Sequence, residues 1–303
     1  MKKRTPLIAI IGANGQLGRD LVISLKQKNF NVIPVYHTSQ EGIMLDISNK
    51  MEVFSFVNNY KPNIIINTAA FHKVDLCEEQ PKKAFEVNCL GVENLVKAIS
   101  SSSGIRIINI STDYIFDGER GWYSEDDLPN PINIYGESKL LGERVLKNNL
   151  EEKDYLILRV QALQGRGGSS VKGQNFVETM IKLGKERGLV KVVKDQITKP
   201  SFTKDLAEAI GDLIKIGAYG IYNLTNEGSS SWYDFAKQIF KDMNMNVDCI
   251  PITTEEASVL FKYKAKRPLN TTLSTKKIED LKIKLRPWQD SLKEYIKNRT
   301  NGI

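Results

Sequence analysis

The apolar positions of the chain fall into short unbroken runs, separated by segments where they recur every three or four residues. The run LIAII at 7–11 holds no polar residue, which is the pattern of a strand covered on both faces. Leu17, Leu21, Val22 and Leu25 follow at helical spacing and give one apolar face that can pack back on that strand. FNVIPVY (30–36), NIIIN (63–67), RIINIS (106–111) and YLILRV (155–160) read as further strands, with helical patterns at 48–60, 82–100 and 134–149 between them. Strands separated by helices predict an α/β fold with a doubly wound parallel sheet. Parallel neighbours need a crossover, and the crossover helices cover both faces.

After about residue 160 the texture changes. The stretch QGRGGSSVKGQ (164–174) leads into a helix and then into shorter elements with more polar linkers. The pattern predicts a sheet domain over 1–160 and a smaller C-terminal lobe over 161–303, placed to choose the substrate. A helix from Thr203 to about Ile216 and the strand IYNLT (221–225) could return to the first sheet. No fixed-period repeat is visible.

Composition narrows the class. With 41% hydrophobic and 26% charged residues over 303 positions, the chain can bury a sizeable core, which excludes disorder, collagen and coiled coil. The formal charge of +7 is spread along the sequence, apart from Lys262, Lys264, Lys266 and Arg267. No basic stretch interleaved with aromatics marks a nucleic-acid surface, so a solvated surface accounts for the excess. Cys77, Cys89 and Cys249 form no CxxC pair and the histidines are His37 and His72. No metal site is expected, and the compartment reads as reducing and cytoplasmic. The first apolar run is too short for a secretory signal or a membrane span.

Candidate chemistry begins at the first strand-to-helix junction. Gly12-Ala13-Asn14-Gly15-Gln16-Leu17-Gly18 spells GxxGxxG, where a sharp turn, close approach of a pyrophosphate and the free N–H groups of a helix start all favour glycine. Placed there, the motif predicts a Rossmann-type NAD(P) site. The second strand ends Val35-Tyr36-His37-Thr38-Ser39 without the carboxylate that would read a ribose 2′-hydroxyl. That tilts the reading toward NADPH, with NADH as the alternative, and an ordinary loop with no say in selectivity accounts for it as well. Asp46 is placed to reach the adenine, or is an exposed loop carboxylate. The small residues Asn67-Thr68-Ala69-Ala70 would let backbone lie against the cofactor, or simply pack closely.

Tyr135 and Lys139 form YxxxK, which on a helix puts both side chains on one face a turn apart. A phenol is a poor proton shuttle at neutral pH, and a neighbouring ammonium favours its ionised form. Upstream, Ser111-Thr112-Asp113-Tyr114 stands at a strand end, where doubly wound sheets bind ligands. The set predicts a reductase, with Tyr135 giving a proton to a carbonyl oxygen, Thr112 donating to the same oxygen and Lys139 holding charge. Asn88 in NCLG could anchor the YxxxK helix or a water, or act as a packing amide.

With GANGQLG, NTAA…VDLCEEQP, FEVNCLG, STDYIFDG, NPINIYGESKLLGE and YGIYNLTNEGSSSW in this order, the chain resembles extended short-chain dehydrogenases, and within them the dTDP-4-dehydrorhamnose reductase family. The resemblance runs to RPLNTTLSTKKI (267–278) and LRPWQDSL (285–292). It implies reduction of the C4 keto group of a dTDP-linked 6-deoxy-sugar with NADPH or NADH. By matching positions it implies that Gly15, Gln16 and Leu17 touch the pyrophosphate, Asp46 and Ile47 the adenine end, and Ala69, Ala70 and Phe71 the dinucleotide. Tyr135 would be the proton donor beside Lys139, and Thr112 and Asp113 would meet the sugar. It is compatible with a homodimer and implies no membrane partner.

The chain departs from the family pattern at Phe71, where the family commonly has a histidine, and in two further places. Where the family commonly reads RTSWVY, this sequence has Arg159-Val160-Gln161-Ala162-Leu163-Gln164, so Ala162 stands in place of a tryptophan that packs on the substrate. The glycine-rich loop 165–173 brings Arg166 and Lys172, which with Arg267 are candidates to face a diphosphate. Two further readings therefore stand beside the main one. One is a reductase of a different nucleotide ketosugar. The other is a non-catalytic NADP-binding subunit like the regulatory subunit of methionine adenosyltransferase, which resembles the same family.

Overall fold

The computed structural model describes residues 5–38, 42–102, 104–166 and 174–300. Its centre is a parallel sheet. The strands are β1 (Leu7–Ile11), β2 (Asn31–Tyr36), β3 (Ile43–Met44), β4 (Ile64–Asn67), β5 (Arg106–Thr112), β6 (Tyr155–Val160) and the later strand Gly220–Asn223. They lie in the order Gly220–Asn223, β6, β5, β4, β1, β2, β3. Reading from β3, this is the 3-2-1-4-5-6 winding of the Rossmann fold with one strand added beyond β6.

The unbroken apolar runs are explained by what covers them. Ile8 and Ile10 of β1 face one core with Ile64, Ile66, Ile108 and Leu156, whereas Ala9 and Ile11 face the opposite core with Ile65, Ile107 and Ile157. Successive residues of a strand point to opposite faces, so burial on both faces leaves no polar position in the run. Helix α1 (Gln16–Gln27) covers the first face through Leu17, Leu21 and Leu25. Helices α2 (Lys50–Tyr60) and α5 (Gly91–Ser100) cover the second through Val53, Phe56, Leu95 and Ile99.

Between them lie α3 (Val74–Glu79), α4 (Pro81–Phe85) and a π-helical turn at Glu86–Leu90 that carries Asn88. The helix α6 (Ile134–Asn149) packs on this turn, with Asn133 capping it by accepting from the Gly136 N–H at 2.9 Å.

The chain after 160 completes the first core and builds others of its own. The helix Thr203–Ile216 and the strand Gly220–Asn223 complete the first, where Leu206, Ile210, Leu213 and Tyr222 join the residues of α1. The strand pairs in parallel register with β6, Gly220 opposite Leu156. A third core lies apart, built by Val177, Ile181, Phe235, Ile239, Trp288 and Leu292 around the parallel pair Leu189–Val193 and Asp248–Ile252. No helix among the described residues is long and apolar enough to cross a membrane.

Candidate active site

A cleft of about 610 Å³ runs along the carboxyl ends of β1, β4, β5 and β6 and reaches the third core. Its first wall is the glycine turn. The Gly12 and Ala13 N–H groups both donate to the Val35 carbonyl at 3.0 Å, which ties the turn to β2. At Gly18 a Cβ would stand 2.2 Å from the Gly12 carbonyl oxygen, so only glycine lets α1 start this close to β1. Gly12, Gly15, Gln16 and Leu17 line the cleft, while Gly18 lies behind them in the packing. No side chain caps the start of α1, which leaves its first N–H groups and positive dipole end to an anion.

Farther along, Asp46 and Ile47 line the wall with His37 and Lys83. Asn94 of α5 holds this loop by donating to the Ile47 and Ser48 carbonyls at 3.0 and 3.2 Å. Burial pushes the Asp46 carboxyl up, but hydrogen bonds from Ser48 and the charges of His37 and Lys83 outweigh it, so the net direction is down.

Ala69, Ala70 and Phe71 lie against the cleft after β4. Asn88 fixes them. Its Oδ1 accepts from the Phe71 N–H at 2.8 Å, and its Nδ2 donates to the Phe71 carbonyl at 3.0 Å and to Ser138 Oγ at 2.9 Å. The amide therefore joins the cofactor-facing loop to α6. This surface of free helix N–H groups, small residues and a glycine at the point of closest approach fits a dinucleotide.

The chemistry gathers where α6 crosses the end of β5. Tyr135, Lys139, Thr112 and Asp113 all line the cleft. Gly136 lets the helix approach, since a Cβ there would stand 2.0 Å from the Tyr114 carbonyl oxygen. The Lys139 ammonium donates to the Ile110 carbonyl at 2.6 Å. Burial pushes Lys139 down to about 8, against the charge of Glu143 one turn on. Glu143 is itself buried, paired with Arg159 at 2.9 Å and accepting from Ser111.

Tyr135 goes the other way. The YxxxK spacing predicts that the ammonium draws the phenol toward ionisation; instead burial raises the group above its ordinary value, with the Asp113 charge adding to the rise and a hydrogen bond with Thr112 opposing it. The phenol therefore stays protonated at neutral pH, as a proton donor must. Asp113, fully enclosed, is raised to about 6 by burial against hydrogen bonds from Thr271, Gln161 and Thr112.

Of the cationic candidates, neither Arg166 nor Arg267 is among the cleft-lining residues. Arg267 is ion-paired with Asp75, stacks over the Tyr263 ring at 4.9 Å and lines a separate cavity of about 400 Å³ with Lys73 and Glu79. Asp75 of α3 pairs its guanidinium, which also hydrogen-bonds Tyr114 of the cleft wall. Arg166 sits beside α1, its carbonyl accepting from Arg19 at 3.1 Å, and is not among the cleft-lining residues. Lys172 lies outside the described residues. No cluster of three or more His, Cys, Asp or Glu side chains placed to hold a metal occurs among the described residues.

The cleft also recruits side chains that the sequence does not single out. Gln161 and Thr271 flank Asp113, and Phe176 and Trp232, with ring centroids 4.6 Å apart, stand at its far end with Gln196. An available signal was Asn175, a helix cap just before Phe176.

The family model described as RmlD substrate binding domain matches residues 6–301. The chain belongs to the dTDP-4-dehydrorhamnose reductase family. It is 38% identical over 299 residues to the spore coat polysaccharide biosynthesis protein SpsK of Bacillus subtilis, covering 97% of this chain and 98% of that protein. A solved dTDP-4-dehydrorhamnose reductase of Clostridium acetobutylicum superposes with a TM-score of 0.88 at 42% identity, over 97% of this chain and 99% of that one. The Bacillus anthracis enzyme of that name, solved in complex with NADP, gives the same TM-score at 37% identity, over 97% and 100% of the two chains. Members of this family are NAD(P)-dependent oxidoreductases, and this chain is one of them.

Proposed function

We propose that the chain reduces the C4 keto group of a nucleotide-linked 6-deoxy-sugar, converting dTDP-4-dehydro-L-rhamnose to dTDP-L-rhamnose, with NADPH preferred over NADH. The observation that carries this reading is the convergence of Thr112, Tyr135 and Lys139 on one cleft that begins at the glycine turn. When bound, the dihydronicotinamide supplies a hydride to the carbonyl carbon. Tyr135 donates to the carbonyl oxygen and gives it a proton, and the Thr112 hydroxyl joins it by turning from Asp113 Oδ1, to which it donates at 3.2 Å. Lys139, fixed on the Ile110 carbonyl, stabilises the phenolate left behind. Asp113, held by Thr271 and Gln161, keeps Thr112 in place. The Phe176–Trp232 pair offers its faces to the nucleobase, which compensates for the ring lost at Ala162.

The NADPH preference rests on the end of β2, where Val35-Tyr36-His37-Thr38 carries no carboxylate of its own and where His37 and Lys83 border the cleft with Asp46, whose carboxylate stands 3.7 Å from His37. A nucleotide-linked substrate and three cysteines that form no disulfide in the structure support a cytoplasmic location.

NADPH oxidation with dTDP-4-dehydro-L-rhamnose tests the assignment. Wild type should turn over, and Tyr135→Phe should lose about 100-fold or more in kcat with little change in NADPH affinity. A full rate in that variant would sink the mechanism. Ala162 favours one second reading, a different nucleotide ketosugar as substrate, and a panel of ketosugars linked to dTDP, UDP and CDP separates the two by kcat/KM.

A further inference from the structure

We propose that Asp113 is a positioning residue that works as the carboxylic acid, a proton on its Oδ1 turning the hydrogens of Thr112 and Tyr135 toward the substrate ketone, a reading that rests on the ketosugar reductase function proposed above. Thr112 and Tyr135 each have one hydroxyl hydrogen, and the proposed reduction needs both at the carbonyl oxygen. In the structure the Thr112 hydroxyl donates to Asp113 Oδ1 at 3.2 Å, and its Oγ1 accepts from the Tyr114 N–H at 3.2 Å. Tyr135 shares a hydrogen bond with Thr112. While the Thr112 hydrogen is on the carboxylate, the hydrogen between the two hydroxyls is that of Tyr135, and it fills the second lone pair of Oγ1. Ionised Asp113 therefore draws both hydrogens away from the ketone.

One proton on Asp113 reverses the chain. Oδ2 accepts from the Gln161 amide at 3.0 Å and from the Thr271 hydroxyl, which leaves Oδ1 to carry the proton. Protonated Oδ1 donates to Thr112 Oγ1, whose two lone pairs are then taken by Asp113 and the Tyr114 N–H. The Thr112 hydrogen is released, Tyr135 has no acceptor left on Thr112, and both hydroxyls donate to the ketone. Asp113 keeps its own proton throughout, and the proton that reaches the carbonyl oxygen is that of Tyr135.

Burial favours the acid form. Asp113 is 5% exposed and is raised to about 6. Thr112 and Tyr114 face it from its own segment, Tyr135 from α6, Gln161 from the end of β6 and Thr271 from the C-terminal part of the chain. Burial keeps both tyrosines neutral. The cations beside this wall are committed elsewhere, Arg267 to Asp75 and Tyr114, and Lys139 to the Ile110 carbonyl.

Stopped-flow NADPH oxidation with saturating dTDP-4-dehydro-L-rhamnose, from about pH 7 to about pH 5, reads this turn, and Lys139, lowered to about 8, stays charged over that range. Asp113 gains its proton as pH falls through about 6, so wild-type kcat should rise by about 3-fold or more. Asp113→Asn has a permanent donor in place of the Oδ1 proton and keeps an oxygen for Gln161 and Thr271. Its kcat should vary by less than about 2-fold over the range and exceed that of Asp113→Leu by about 10-fold or more. Thr271→Val removes a hydrogen bond that favours the carboxylate, so its rise should be centred at higher pH than that of wild type. NADPH titration by tryptophan fluorescence reports that each variant is folded, and wild type and Thr271→Val decide the matter if the Asp113 variants are not. A wild-type kcat that is flat or falls toward pH 5, the wild-type rise in Asp113→Asn, equal rates in the Asn and Leu variants, or an unmoved profile in Thr271→Val would overturn the assignment. Absence of wild-type turnover on this sugar and on every other ketosugar of the panel would instead remove the reading it rests on.

Discussion

Burial sets the protonation of the two reactive side chains in opposite directions, and both directions suit a reduction. Tyr135 is held protonated and Lys139 is lowered to about 8, so the proton donor is loaded and the ammonium stands close to its own titration. The sign of the pH dependence follows. Proton transfer turns the phenol into a phenolate, and only charged Lys139 stabilises it. As pH rises through about 8 the ammonium is lost, and kcat for ketosugar reduction should fall from its value near pH 7. Tyr135 does not produce this limb, because its own ionisation lies above its ordinary value. Stopped-flow NADPH oxidation from pH 6 to 10 measures it. Lys139→Met should lower kcat by about 10- to 100-fold and remove the fall near 8, and a fall that persists there would assign the limb to another group.

The helix α6 is the element that makes this arrangement stiff. Asn133 caps its start, Ser138 is tied to Asn88, and Glu143 anchors its middle to Arg159 of β6 through bonds of 3.1 and 2.9 Å. In Glu143→Gln the Arg159 guanidinium stays buried without its counter-charge, which should destabilise the fold by about 3–5 kcal/mol in urea titration. The variant also loses the carboxylate that opposes the lowering of Lys139, so the fall in kcat should move to lower pH. An unmoved pH profile in a folded variant would separate the two effects of Glu143. At this scale the sequence was readable where elements are long or covered on both faces. The five strand runs and α6 stand where periodicity puts them, because each carries its own burial pattern. The two-residue strands Leu163–Gln164, Ile197–Thr198, Ser201–Phe202 and Ser230–Ser231 have no period to detect, since their pairing depends on partners elsewhere in the chain. The π-helical turn around Asn88 is likewise set by its packing on α6 rather than by local propensity.

At the scale of the molecule, chemistry carried by contiguous residues was legible and chemistry assembled across the chain was not. GxxGxxG and YxxxK each lie within one turn or helix, so spacing alone places their side chains together. Gln161, Thr271 and Trp232 come from three distant segments, and only the fold brings them to one cleft. Arg267 shows the converse, because Asp75, far upstream, claims the charge that composition offers to a diphosphate. The same long-range assembly bears on the boundary near residue 160. The first core mixes Leu21 and Leu25 with Leu206, Ile210, Leu213, Tyr222 and Ile278, and the strand Gly220–Asn223 covers the free edge of β6. A fragment ending at residue 160 would lose those five side chains. At about 1.5–3 kcal/mol each, the loss is on the order of 10 kcal/mol, comparable to the whole stability of a typical domain. Residues 1–160 alone should therefore fail to fold, showing no cooperative thermal transition and no NADPH binding despite holding the glycine turn, Tyr135 and Lys139. Circular dichroism melting and NADPH titration of the fragment beside the full chain check this. A folded, cofactor-binding fragment would show that the helix Thr203–Ile216 and its strand decorate an already sufficient core, which the shared burial of Leu21 and Leu25 argues against.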